Sequence, residues 1–111
     1  QFYGIDYPLR WSDEDYKFAT EILSQIQNHA KENLNAKGLI LIFLPGQKLT
    51  NELIPYLEKA KIRYLDYSQW DIKKLTVGPA YIPYDGHPTA EANKILGESL
   101  AHELSTNSVF L

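Results

Sequence analysis

Six consecutive apolar residues, Leu39–Leu44 within GLILIFLPG, constrain the fold of this chain more than any other stretch. Gly38 stands before them and Pro45-Gly46 after them. A short run with no polar residue cannot alternate between a wet and a dry face. It therefore predicts a strand covered on both sides, as in a parallel sheet with helices on each face.

The flanking segments supply those helices. Ser12 is a fitting N-cap, with Asp13, Glu14 and Asp15 in the positive first turn and a carboxylate three residues past the cap. The helix it opens is predicted to run to about Asn35, with Phe18, Ala19, Ile22, Leu23, Ile26, Ala30 and Leu34 on its inward face and Gly38 as its stop. Beyond the apolar strand, residues 50–61 predict a shorter helix with Leu53, Leu57 and Ala60 inward. Pro55 forces a choice there: the regular helix starts near Ile54, or it is kinked. Residues 62–68, IRYLDYS, predict a second strand, half-buried or towards a sheet edge. Residues 69–80 are expected to form a loop or a broken helical turn, and residues 1–11 to be extended or irregular.

The last patterned stretch is YIPYDGHPTAEANKILGESLAHEL, residues 81–104. Its first half is a loop, and its second half repeats apolar or small residues at Ala92, Ile95, Leu96, Ser99, Leu100 and Leu104, one helical face. Thr89 is placed to cap that helix, and Glu91 suits its first turn. The tail STNSVFL turns from polar to apolar and is expected to fray or dock elsewhere.

The order helix, buried strand, helix, strand, loop, helix predicts an α/β class with a parallel sheet. Two strands rarely make a stable sheet alone. The 111 residues thus read as a single partial domain, residues 1–111, that carries part of a larger sheet. The absence of any Met, an initiator included, adds the expectation of a trimmed or processed product. An open strand edge should then be met by the missing N-terminal half or by another copy of the chain.

A net charge of −3 without a basic run argues against a nucleic-acid partner. With no Cys, neither a disulfide nor a thiolate zinc site can form. No apolar run approaches the roughly 20 residues of a membrane-spanning helix. The compartment is left open.

Chemistry concentrates at Asp85 and His87, two residues apart in a loop stiffened by Pro88. A histidine that serves as general base needs a carboxylate to orient its ring and to stabilise the imidazolium. The competing reading is a solvated turn with a capping role. A metal site at these residues would need a third ligand, and no cluster with metal spacing supplies one. His29 and His102 fall on the exposed sides of helices, and Glu58, Glu98 and Glu103 read as surface charge. Eight Tyr and two Trp could line a groove or cover absent sheet.

The stretch DGHPTAEANKILGESLAHEL resembles the final motif of the SGNH/GDSL hydrolases, roughly D-(x)-x-H-P-N-x-x-G-H followed by an amphipathic helix. Asp85, His87 and Pro88 match it, while Thr89 stands for its Asn, Ala92 for its Gly and Asn93 for its second His. In many members the acid lies three residues before the His, where this chain has Tyr84; here it lies two before, as in a D-G-H variant. The buried strand ending in Pro45 after a long helix, and the Leu65-Asp66 pair on a later strand, are similar to the family's pattern too.

The resemblance implies a three-layer α/β/α, flavodoxin-like fold and a serine esterase or acylhydrolase. Its substrate would be an ester or acylated carbohydrate, His87 its base and Asp85 the partner of that base. No cofactor and no metal is implied. The family's Gly-Asp-Ser nucleophile motif and its oxyanion-hole Gly and Asn have no counterpart in this chain. Ser68 follows a strand but lacks the glycines of an exposed nucleophile turn. The expectation is therefore the C-terminal part of an ester hydrolase; the alternative is a non-catalytic α/β interaction module.

Overall fold

A computed structural model describes residues 11–46 and 50–107. Of the irregular stretch expected at residues 1–11 only Trp11 is among them, and residues 1–10 and the apolar end of the tail, residues 108–111, lie outside. The protein is of mixed α/β class, and its contacts separate two compact units with the boundary between Gln69 and Trp70.

The first unit contains α1 (Asp13–Asn33), β1 (Ile40–Phe43), α2 (Thr50–Lys59) and β2 (Arg63–Asp66). The strands pair in parallel, Ile40 opposite Arg63 through Phe43 opposite Asp66. The ladder continues past them, since the Tyr67 amide donates to the Phe43 carbonyl (2.9 Å) and the Gly46 amide to the Ser68 carbonyl (3.1 Å). Phe43, Leu57 and Ile62 form the core, with Leu23, Leu41, Leu53 and Ile54 packed against it. Among the described residues β1 pairs only with β2, and Ile40, Leu41 and Ile42 are half-buried. The full burial expected of this strand is thus reached at Phe43 alone, because one strand and two helices cover too little of it.

The α1 cap forms as its sequence predicts. The Asp15 amide donates to Ser12 Oγ (3.2 Å) and the Ser12 amide donates to Asp15 Oδ2 (2.7 Å). The donated Ser12 amide, ahead of the Ser12 hydroxyl, holds the Asp15 carboxyl below its ordinary 3.8. A folded pKa below the unfolded one adds stability above the unfolded value, lost as pH falls through the folded value. We therefore expect thermal midpoints in an acid series to decline below about pH 4, the ordinary carboxylate range. Asp15→Ala should lower the midpoint at pH 7 and flatten that acid limb. Parallel limbs for wild type and variant would show that the cap does not act through this charge.

The stop of α1 differs from expectation. Asn35 takes the left-handed conformation (φ 53°) and the Ala36 amide turns back to the Ala30 carbonyl, so Asn35 ends the helix before Gly38. Gly38 serves closeness instead, since a Cβ there would lie 2.9 Å from an Arg63 guanidinium nitrogen and 3.2 Å from Gln27 Oε1.

The buried face of α1 also differs. Tyr16, Thr20 and Gln27 are buried and Leu23 reaches the core, whereas Phe18, Ile22, Ile26 and Leu34 are exposed, Phe18 by 68%. Two contacts set this roll. Gln27 Oε1 accepts the Leu39 amide (3.0 Å), and Tyr16 stacks on Tyr56 of α2 at 5.3 Å between ring centroids. The apolar arc of α1 is wider than its partners, and the part they leave uncovered is the Phe18–Ile22–Ile26 stripe.

In α2 the helix begins at Thr50, not near Ile54, and Pro55 sits inside it on an exposed side. Its missing N–H costs one early-turn hydrogen bond. The helix ends with Lys61 left-handed (φ 58°), the Lys61 amide on Glu58 and the Ile62 amide on Leu57 (2.9 Å). This Schellman closure places Ile62 against Leu57 in the core.

Among the described residues the second unit holds a 3-10 turn (Ile72–Lys74), a hairpin-like loop and α3 (Ala90–Thr106). Its core is Ile72, Ala80 and Ala92, with Tyr81, Ile95 and Leu96 packed on it.

Candidate active site

Asp85 and His87 lie at the tip of the hairpin-like loop, and main-chain bonds fix its two arms. Tyr81 bridges Pro88, the Ile82 amide donates to the His87 carbonyl (2.8 Å), and the Thr89 amide donates to the Ala80 carbonyl (2.9 Å). Thr89 ties the base of the loop to the helix. Its hydroxyl donates to the Pro79 carbonyl (2.8 Å) and accepts the Ala92 amide (3.4 Å), so the predicted N-cap is also a clamp. Glu91 adds a second clamp, its carboxylate accepting the Val77 amide (2.6 Å) and the Gly78 amide (3.1 Å).

The tip turns at Pro83-Tyr84. Proline supplies the fixed φ of the second turn position, Tyr84 follows at φ 63°, and the Asp85 amide closes back on the Ile82 carbonyl (3.2 Å). Gly86 is left-handed too (φ 82°). Gly86 bends the chain between Asp85 and His87, and the side chains of i and i+2 converge. His87 Nδ1 and Asp85 Oδ1 are hydrogen-bonded partners.

The His87 side chain is 78% exposed and that of Asp85 47%, so the pair stands in solvent and not in a core. Among the described residues Nε2 of His87 has no hydrogen-bond partner and no hydroxyl meets it. With its proton on Nδ1, a neutral ring donates to Asp85 and offers the Nε2 lone pair outward. That is the arrangement of a general base waiting for an acidic proton.

The serine that follows β2 is closed to solvent. Ser68 is 7% exposed and its hydroxyl oxygen is shut off from solvent. His29 and His102 are exposed on α1 and α3, as their helical positions predict. Among the described residues no three His, Cys, Asp or Glu side chains gather as a metal site would require.

The sequence does not announce the roles of Glu91, in the first turn of α3, and of Tyr84, in the loop. From the sequence Glu91 complements the helix N-terminus, while its clamp spans 14 residues of sequence that no local pattern encodes. Tyr84 is fully exposed, and a non-glycine residue in the left-handed region costs about 1–2 kcal/mol. The Pro-Tyr-Asp-Gly turn signal was present in the sequence. It marks where the chain turns, not which residue takes the strained position. Beside this turn lies an open hollow of about 540 Å³, lined among others by Lys73, Pro79, Tyr81, Ile82, Pro83 and Tyr84.

Compared with known proteins, the chain matches no family model, no curated protein and no solved structure.

Proposed function

We propose that this chain is the C-terminal part of an SGNH-type serine ester hydrolase, with His87 as general base and then general acid and Asp85 orienting its ring. One observation carries the reading: the Asp85–His87 pair stands on a clamped loop at a helix entrance, with Nε2 of His87 unpartnered among the described residues. The D-G-H-P motif supports it, and so do the uncovered Phe18–Ile22–Ile26 stripe and the half-buried β1. These fit a three-layer α/β/α, flavodoxin-like sheet whose other strands come from a preceding segment or a second copy.

In that assembly a serine hydroxyl from outside these residues attacks the ester carbonyl carbon while Nε2 of His87 takes its proton. Asp85 holds the imidazolium. The tetrahedral intermediate collapses, the bond from carbonyl carbon to alkoxy oxygen breaks, and His87 returns the proton to the departing alcohol. Water then attacks the acyl-serine, His87 again takes a proton, and the serine oxygen leaves with that proton as the carboxylic acid is released. The substrate is an ester, an O-acylated carbohydrate among the candidates.

A non-catalytic module is favoured by one observation, that no described hydroxyl meets His87. Hydrolysis of a short-chain aryl ester by the parent chain separates the two. Turnover that depends on His87 supports the hydrolase, and its absence in a folded parent supports the module.

A further inference from the structure

We propose that the hollow beside the Asp85–His87 loop is a ring-binding subsite, in which Tyr84 is the platform for the flat face of a sugar or aryl ring. The inference rests on the hydrolase reading only for what that ring is attached to.

Three observations converge on it. Tyr84 is exposed by 111% at a left-handed turn position, although glycine would occupy φ 63° there without strain. A strained conformation kept for a solvent-facing aromatic side chain points to a use outside folding. Second, Tyr84 lines the hollow together with Tyr81, Pro83 and Pro79, side chains with flat or rigid faces and few rotatable bonds. Such walls lose little entropy on binding, which is why tyrosine is favoured in recognition surfaces. Third, the hollow is open, and Lys73 is among the residues that line it. A long acyl chain gains most from enclosure in a wholly apolar site, whereas a ring gains from one stacked face with its edge still hydrated.

Position gives the subsite its relation to the chemistry. Tyr84 and Gly86 both line the hollow and flank Asp85 in sequence, so a ring seated there holds its substituents beside the residues that carry His87. The clamp of Glu91 on Val77 and Gly78 fixes a further lining segment, since Gly78 and Pro79 also border the hollow.

The test is binding, read independently of turnover. The ¹⁵N-labelled chain is titrated with methyl β-D-glucopyranoside, with 4-nitrophenol and with hexanoate, and amide and tyrosine-ring resonances are followed. At least one ring probe is expected to shift resonances of residues 76–86, and hexanoate is expected to leave them in place. The two ring arms identify whether the ring is a sugar or an aryl group. Tyr84→Ala and Tyr84→Gly should each weaken ring binding by roughly five- to tenfold. Tyr84→Gly should keep or raise the thermal midpoint, because glycine relieves the left-handed strain.

Unchanged ring affinity in both variants overturns the inference, as does the absence of shifts with either ring probe. A midpoint that falls in Tyr84→Gly shows a structural tyrosine and overturns it too. His87→Ala should retain ring binding. If the ring binds through Tyr84 while the parent hydrolyses no ester, the subsite stands and the hydrolase reading falls. If turnover depends on His87 but no ring binds, the reverse holds.

Discussion

His87→Ala in the parent chain is expected to lower short-chain aryl ester turnover by roughly three orders of magnitude or more while the thermal midpoint stays level. The large kinetic effect follows from the role of the ring. Without a base, the serine proton has no acceptor in the attack and the leaving alcohol has no donor. The small structural effect follows from the position of the residue. The side chain is 78% exposed, and the bond that holds the loop uses the His87 carbonyl, which alanine retains. Asp85→Asn should lose roughly a hundredfold or more, since an amide can donate to Nδ1 and place the ring proton on Nε2, where the base must be free. Wild-type turnover in His87→Ala would remove the residue from the mechanism. A marked fall in midpoint instead would make the ring a clamp of the loop.

Leu57→Ala is expected to be the most damaging single truncation in the first unit. Leu57 is 0% exposed, packs with Phe43 and Ile62, and its carbonyl accepts the Ile62 amide that closes α2. Deleting a fully buried leucine side chain costs about 2–5 kcal/mol, through lost burial and the cavity left behind. Whole domains are stable by only about 5–15 kcal/mol. A drop in midpoint of roughly 10 °C or more should follow, measured by circular dichroism at 222 nm. A shift under about 2 °C would mean that the core does not depend on the contact between α2 and the sheet.

The elements were legible because each announced itself locally. Ser12 with Asp15, Thr89 with its following helix, and the unbroken Leu39–Leu44 run all encode structure within a few residues. The face of α3 was legible as well, with Ala92 fully buried and Ile95 and Leu96 packed beside it. The roll of α1 was not. Periodicity reports where apolar residues lie, whereas the observed face is chosen by a glutamine reaching the Leu39 amide and by a tyrosine stack, contacts 12 and 40 residues away in sequence. The identity of Gly38 suggests a helix stop, while Asn35, a residue type that tolerates the left-handed region, takes that role. At the site, the D-G-H spacing named the pair. The convergence of the two side chains runs through the left-handed Gly86 between them, and spacing alone does not specify the conformation of that turn.

The most direct measurement of the central claim is covalent labelling of the parent chain with a fluorophosphonate, followed by mass spectrometry. An activated serine oxygen forms a bond to phosphorus and fluoride departs, so the adduct reports the nucleophile and its rate reports the base. One labelled serine outside residues 1–111 is expected, with labelling slowed by roughly three orders of magnitude in His87→Ala. No adduct in the folded parent, or an adduct that forms equally fast without His87, would contradict it.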